Sequence, residues 1–369
     1  MRRLAVFVAA ATLALAALSA EAAATGSRYG VAAGDVTATS AVLWTRAPSS
    51  GLLEWEFPEV GGLPVRGQLQ ALPRKDLTAQ LSLRGLRPGA RYVFRFRQGR
   101  DVSELGRFTT APPASLNVPI RFAISGDADA TRATNGKPAF NTFGVYARMA
   151  AERNDFNINL GDTIYADSEV ANAPVARTRV QKWAKYKLGL ALPALRKLRA
   201  SAALYSHWDD HEFVNDFSRP EHGDAIYRAG VHAFRDYSPV TYFPATGLYR
   251  TFRWGKHLEL FFLDERSFRS AKVTQACGAD LAPTAPQAAR NAFATLAPAL
   301  RNPVPPACIA AIEDPARTML GVSQRVELRR AIRSSTATWK VIVNEVPIQQ
   351  YYALPYDRWE GYAAEREQL

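Results

Sequence analysis

The chain has 369 residues, 47% of them hydrophobic and 22% charged, with a formal net charge of +12. That length can bury more than one core, and the composition excludes a disordered or fibrous chain. The positive balance fits a basic solvated surface, an anionic substrate or a membrane surface, but no basic run is interleaved with aromatics, which argues against specific nucleic-acid binding.

Residues 1–24 read as an export signal rather than fold. Arg2-Arg3 form a positive start, Leu4 to Ala20 an apolar run rich in Ala and Leu, and Ala22-Ala23-Ala24 a small-residue cleavage site. The pattern fits general secretion better than twin-arginine export. No other stretch is apolar enough to span a bilayer, so a periplasmic or secreted protein is expected. In that oxidising setting Cys277 and Cys308, which bound a Pro/Ala-rich segment, are expected to pair.

From about Tyr29 to Thr110 the chain reads as all-β. Ala41–Thr45, Leu81–Leu83, Arg91–Phe96 and Gly106–Thr110 are strand-like. Leu86-Arg87-Pro88-Gly89 is a turn, because Pro fixes φ and Gly permits positive φ. Tyr92, three residues beyond that Gly, looks like the tyrosine corner of an immunoglobulin or fibronectin-III sandwich. No nucleophile or metal cluster converges here, so this domain, residues 28–112, reads as a packing partner, with carbohydrate binding the less favoured reading. Pro112-Pro113 and Pro119 mark a linker, and residues 119–369 form the second domain.

There the texture becomes α/β. Ile120–Ser125 is a strand ending in Gly126-Asp127-Ala128-Asp129. Helical periodicity runs from Ala139 to Arg153, and Asp155–Leu160 is a second strand, ending in Gly161-Asp162-Thr163-Ile164-Tyr165. If the two strands are parallel neighbours, Asp127 and Asp162 face one crevice at their carboxyl ends. A carboxylate there can bridge two cations, and a phenolate three residues on suits a trivalent iron; the bland alternative is a turn with a core tyrosine. Ala176–Leu190 is a basic amphipathic helix. A third strand, Ser201–Ser206, delivers His207-Trp208-Asp209-Asp210-His211-Glu212 and then Asn215. Oxygen and imidazole donors together suit iron, manganese or zinc, and oxygen alone suits calcium. A helix follows over 224–236, then a hairpin turning at Gly255 and ending at Asp264-Glu265-Arg266. Asp264 and Arg266 either pair with each other or Arg266 aims a guanidinium at a phosphoryl group. Gln324–Arg333 is a helix and Trp339–Val343 a strand.

Together Gly161–Tyr165, Trp208–Glu212, Leu263–Arg269 and Trp359-Glu360-Gly361-Tyr362 with Arg366 resemble the PhoD-type alkaline phosphatases, exported metallophosphoesterases related to purple acid phosphatases. The resemblance implies a β-sandwich in front of an αββα core with two metals between its sheets, expected as iron(III) and calcium, with manganese or zinc as alternatives. It implies that Asp162 bridges the metals, that Tyr165 and Asp210 bind them, and that His211 faces the leaving group. Asp127 stands where the family often has a Cys ligand. Asp129, Asp209 and Asn215 are weaker candidates. The implied activity is hydrolysis of phosphate mono- or diesters, with small phosphate esters or phospholipids as partners. A phospholipase D-like phosphodiesterase and a non-catalytic exported binding protein are the alternatives. The family's Gly-Asp-x-His box does not occur before Leu369, so a fragment with an incomplete site is expected.

Overall fold

Short runs rich in β-branched, aromatic and apolar residues, alternating with polar ones in β4 and β6, set the strands of the first part of the chain: β1 (Val31–Gly34), β2 (Ser40–Arg46), β3 (Gly51–Phe57), β4 (Val65–Ala71), β5 (Thr78–Arg84), β6 (Arg91–Gln98), β7 (Asp101–Val102) and β8 (Gly106–Thr109). They are seen in a computed structural model that describes residues 28–57, 65–140, 142–352 and 355–369; the expected export segment lies outside these. One sheet has the order β1-β2-β5, and the other β4-β3-β6-β7 with β8 also paired to β6. The inward side chains of both meet in one core with Leu43, Leu53, Phe94, Phe96 and Phe108. The expected tyrosine corner is present as a contact: the Arg87 N–H donates to the Tyr92 hydroxyl at 2.8 Å, and Gly89 takes φ of 65° in the turn.

The second part opens with β9 (Phe122–Ser125), α1 (Gly144–Ala151) and β10 (Phe156–Asn159), followed by α2 (Arg179–Leu190), α3 (Pro193–Ser201), β11 (Ala203–Ser206) and α4 (Arg219–Tyr237). β10 lies between β9 and β11, parallel to both, in the register Ser125–Asn159–Ser206. Three strands thus end side by side. The second sheet is β12 (Arg250–Trp254), β13 (Leu258–Phe262) and β14 (Trp339–Val343). β12 and β13 form the expected hairpin, and β14 runs parallel to β13. Phe156, Tyr205, Trp254, Phe252 and Phe262 fill the space between the two sheets.

Two expectations change. The helix expected from Ala139 begins only at Gly144. Phe143 sits in the left-handed region with φ of 53°, and a bridge between Arg132 and Pro138 folds the preceding residues into a loop. Phe140 therefore stands 65% exposed on a loop, not on a helix face. α3 was not foreseen; its Pro at the first turn and its cationic side chains form a helix directly before β11.

Cys277 ends α5 (Thr274–Cys277) and Cys308 lies in α7 (Pro306–Glu313); the two are disulfide-bonded as expected, and α6 (Gln287–Phe293) lies between them. Closing a loop with a sequence separation of 31 stabilises the fold by about 3–4 kcal/mol in the chain-entropy account. α8 (Gly321–Ser334) and α9 (Ala363–Gln368) follow.

The sandwich is fastened to the α/β part by buried polar contacts. Trp44 Nε1 donates to the Asp236 carbonyl at 2.6 Å. Asp35 pairs with Arg250, both nearly fully buried, and Arg250 Nη2 also donates to the Ser206 carbonyl at 2.7 Å. Gly34 is required for this approach, since a Cβ there would lie 2.5 Å from the Pro239 carbonyl oxygen. Asp76 accepts from Arg46 at 3.1 Å, Lys187 at 2.9 Å and the Tyr237 hydroxyl. Burial alone would raise the Asp76 pKa, but these three donors hold it below the usual carboxylate value. A depressed folded pKa contributes stability above the unfolded value and loses it as pH falls through the folded one. Asp76→Asn is therefore expected to cost about 1 kcal/mol at neutral pH, after solvent screening. The difference from the unaltered protein should shrink as pH falls through the depressed folded pKa of Asp76, as read by thermal unfolding across pH.

Candidate metal centre

The aligned ends of β9, β10 and β11 release three acidic turns. Asp127 and Asp162 both adopt positive φ, 55° and 50°, a conformation that short polar side chains tolerate. Their turns are bonded together: the Asp127 N–H donates to the Gly161 carbonyl at 3.4 Å and the Ala128 N–H to the Asp162 carbonyl at 2.8 Å. The third turn closes on the second at Gly161, where a Cβ would stand 2.6 Å from the Asp209 nitrogen. Any side chain at 161 would push Asp162 and Asp210 apart.

Glu212 locks this junction. Fully buried, it accepts the Thr163 N–H at 2.5 Å and the Asp209 N–H at 2.8 Å. Burial pushes its pKa up to about 7, against those hydrogen bonds. The His211 N–H donates to Asp162 Oδ1 at 3.3 Å. The outcome is that Asp162, Asp210 and His211 each bring one ligand atom within 4.8 Å of the others. Beside them the Tyr165 hydroxyl donates to Asp127 Oδ1 at 3.0 Å, and the Tyr165 ring stacks on His211 at 4.1 Å between centroids.

The electrostatics of the cluster call for added positive charge. The Asp162 pKa is raised to about 9, by burial first and then by Glu212, Asp209 and Asp210, with His211 opposing. Tyr165 is raised well above its usual value by burial and by Asp162 and Asp127. A buried set of oxygen donors and an imidazole, destabilised as anions by one another, is a chemistry that a bound hard cation would relieve. The residues present therefore fit a metal. A second acidic group, Asp210, Asp216 and Asp357, fits less well, because the chain supplies its own cations there: Lys272 bonds Asp216 at 2.9 Å, and Arg266 and Arg269 bond Asp357.

The remaining candidates divide. Asp209 accepts from Arg266 Nε at 2.6 Å, and burial lifts its pKa to about 6. Asp129 accepts from the Thr131 N–H at 2.8 Å and the Ser168 hydroxyl at 2.5 Å, so it ties two loops. Asn215 lies at the rim of the cleft. Arg266 departs from both expectations. Its guanidinium does not pair with the Asp264 carboxylate, which accepts instead the Arg266 backbone N–H at 3.2 Å, Trp208 Nε1, the Leu248 N–H and the Ser267 hydroxyl. Nor is it aimed at open space: it is 1% exposed and forks onto Asp357 at 2.7 and 2.9 Å while its Nε holds Asp209. A buried guanidinium among carboxylates satisfies them before it can face a ligand.

Three site residues escaped the sequence. Asp167 Oδ1 lies 2.6 Å from His211 Nδ1; a carboxylate in the same loop as Asp162 was the available signal. Glu212 was inside the recognised box but has a locking role that only packing reveals. Asp357 lies 91 residues from Arg266, with no local signal. The Trp359–Tyr362 motif proves to be scaffold: Trp359 Nε1 donates to Asn344 Oδ1 at 2.9 Å and to Glu265, and the Tyr362 hydroxyl accepts from Arg269 Nε at 3.1 Å.

A family profile described as PhoD-like phosphatase matches residues 132–369, and one described as PhoD-like phosphatase, N-terminal domain, matches residues 12–112. Alkaline phosphatase D of Bacillus subtilis (strain 168) is 26% identical, over 92% of this chain and 60% of that protein, so the chain spans about 60% of that curated relative's length. Among solved structures, one described as "Structure of PhoD" superposes with a TM-score of 0.75 at 23% identity, over 94% of this chain and 69% of that one. The purple acid phosphatase PPD1 from yellow lupin (Lupinus luteus) seeds reaches a TM-score of 0.43 at 15% identity, over 63% of this chain and 44% of that one.

Proposed function

The chain belongs to the PhoD-like phosphatase family, and from that premise we propose that it is an exported, metal-dependent phosphoesterase acting on phosphate mono- or diesters. The observation that carries this reading is the meeting of Asp162, Asp210 and His211 at the ends of parallel neighbouring strands, with Asp127 and Tyr165 alongside. No helix among the described residues is long and apolar enough to cross a membrane. The sandwich over residues 28–112 is read as an immunoglobulin or fibronectin-III-like partner of the hydrolytic part at 119–369.

Asp162 and Asp210 would hold the metals, expected as iron(III) and calcium, with Asp127 and Tyr165 completing the oxygen donor set. Bound there, cations would neutralise phosphoryl charge and acidify a water molecule. His211 has two readings, ligand or proton donor. Burial works against its charge, but the hydrogen bond with Asp167 and the fields of Asp210 and Asp162 raise its pKa to about 9. Asp167 lies 2.6 Å from Nδ1 and so leaves Nε2 for either role: as a ligand the imidazole would be neutral, and as a donor a protonated His211 would give a proton to the departing alkoxide. Arg266 acts one step back, positioning Asp209 and the Asp210 turn.

The test is metal analysis of the purified protein together with turnover of a chromogenic phosphate monoester and the matching diester. Stoichiometric metal and turnover of either ester that a chelator removes are expected; a metal-free protein with no turnover after loading would overturn the reading. Asp167→Asn is expected to lower kcat ten- to a hundredfold, about the cost of removing a group that orients a functional imidazole, with metal content unchanged. Steady-state kinetics beside metal analysis reads this directly.

A further inference from the structure

The site opens into a cleft of about 600 Å³ whose lining is uneven in chemistry. Its acidic lining is Asp127 on Tyr165, Asp167 on His211, Asp129 and Glu169. The apolar part of the lining is Phe140, Phe143 and Val170. Among the described residues no lysine or arginine lines it, in a chain with 46 of them. The half-buried Lys185 is not in the lining; it bonds the Thr131 hydroxyl at 3.3 Å and lies within electrostatic reach of Asp129 and Asp167.

The apolar wall is built rather than incidental. Asp129 bonds Thr131 and Ser168 and so ties the loop that precedes Phe140 to the loop bearing Glu169 and Val170. The Ala139 N–H donates to the Thr131 carbonyl at 3.1 Å and fixes the residue next to Phe140. Phe143 is buried, with its ring tilted against that of Tyr146 at 5.6 Å between centroids. Phe140 itself remains 65% exposed, a large ring held over the cleft with most of its surface available to a ligand.

We infer that this cleft is the leaving-group subsite, and that it selects phosphate esters of uncharged alcohols with an apolar or aromatic face while rejecting esters whose leaving group carries further negative charge. This rests on the phosphoesterase reading above. The phosphoryl group meets the metal-binding carboxylates; the group it departs from meets Phe140, Phe143 and Val170. Burying the face of an aromatic alcohol against Phe140 is favourable. A second anion placed beside Asp129, Asp167 and Glu169, where no lysine or arginine lines the cleft and His211 and Lys185 already offset Asp167 and Asp129, is repelled and loses its hydration without a partner.

The test uses the metal-loaded full chain. kcat/KM is compared for phenyl phosphate, 4-carboxyphenyl phosphate and a nucleoside diphosphate, and calorimetry compares binding of phenylphosphonate with that of phosphonoacetate. The neutral aryl ester is expected to be preferred by on the order of tenfold or more, and phenylphosphonate to bind tighter by a similar factor. Phe140→Ala should narrow both preferences, and Phe140→Lys should reverse the binding preference towards phosphonoacetate. Equal constants for neutral and charged leaving groups, or preferences that Phe140→Lys leaves untouched, would overturn the inference. If no ester is turned over, the phosphoesterase reading falls, while the binding comparison still decides whether the cleft discriminates by charge.

Discussion

Asp162→Ala is expected to lower kcat/KM by on the order of a thousandfold and to strip metal from the protein. The carboxylate sits where the turns after β9, β10 and β11 meet, shares the cluster with Asp210 and His211, and accepts the His211 N–H. Its removal takes away a donor and loosens the geometry of the other two. Metal catalysis of phosphoryl transfer supplies several kcal/mol of charge stabilisation, which corresponds to about three orders of magnitude in rate. The fold should survive, because the alanine relieves a buried carboxyl that its neighbours already disfavour as an anion. Metal analysis, turnover and thermal unfolding on the same preparation separate these effects. Wild-type turnover with full metal content would remove Asp162 from the centre.

Arg266→Ala is expected to have the largest effect on stability, about 3–5 kcal/mol. The guanidinium is buried and its Nε and both Nη atoms are engaged: Asp209 takes one, Asp357 takes two, and Asp210 Oδ1 lies 3.9 Å away. Cutting it back to Cβ leaves a buried group of carboxylates short of its main counter-charge, with Arg269 still on Asp357 at 2.8 Å. For a chain of this size the loss corresponds to a fall in Tm on the order of 10 °C. Arg266→Lys should recover only part of it, since one ammonium cannot reproduce a fork onto Asp357 and a separate bond to Asp209. Calorimetric unfolding of both variants is the measurement. A Tm for Arg266→Ala within 2 °C of the unaltered protein would show that the clamp does not hold the site together, an outcome at odds with about 3 kcal/mol or more of lost pairing.

The two replacements probe different layers of one object. Asp162 belongs to the cluster that meets the substrate; Arg266 holds the turn on which Asp209 and Asp210 stand. That division also accounts for Asp264, whose carboxylate binds Trp208 Nε1, the Leu248 N–H and Ser267. It joins the third acidic turn to the end of β13 from beneath. Gly247 is needed there, since a Cβ would sit 1.9 Å from Asp264 Oδ2.

Much of the architecture follows from local rules. Period-two alternation marked Arg91–Phe96 and Asp155–Leu160, Ala41–Thr45 reads as a strand without it, and each is a strand within a residue or two of its expected ends. The hairpin at Gly255 and the Cys277–Cys308 pair are also as expected. The failure at Ala139 is instructive. Phe140 and Phe143 carry helical spacing, yet both line the cleft. The left-handed turn at Phe143 and the Arg132–Pro138 bridge decide that segment instead. Apolar spacing reports that side chains will be used, not which surface will use them.

The chain's own order of residues determined that acidic turns would follow strands at Asp127, Asp162 and Asp210, because strand pattern, Gly and short polar side chains act over a few bonds. It determined the donor types as well, and with them the kind of ion they suit. Only the tertiary structure decided which charges are spent on one another: that Arg266 closes on Asp357 and Asp209, that Asp167 rather than a more distant acid holds His211, and that Glu212 bolts two loops together. The physical reason is range. Backbone preference is set by near neighbours, whereas the partner of a buried charge is whichever opposite group the packed chain brings within hydrogen-bond distance, from any separation along the sequence.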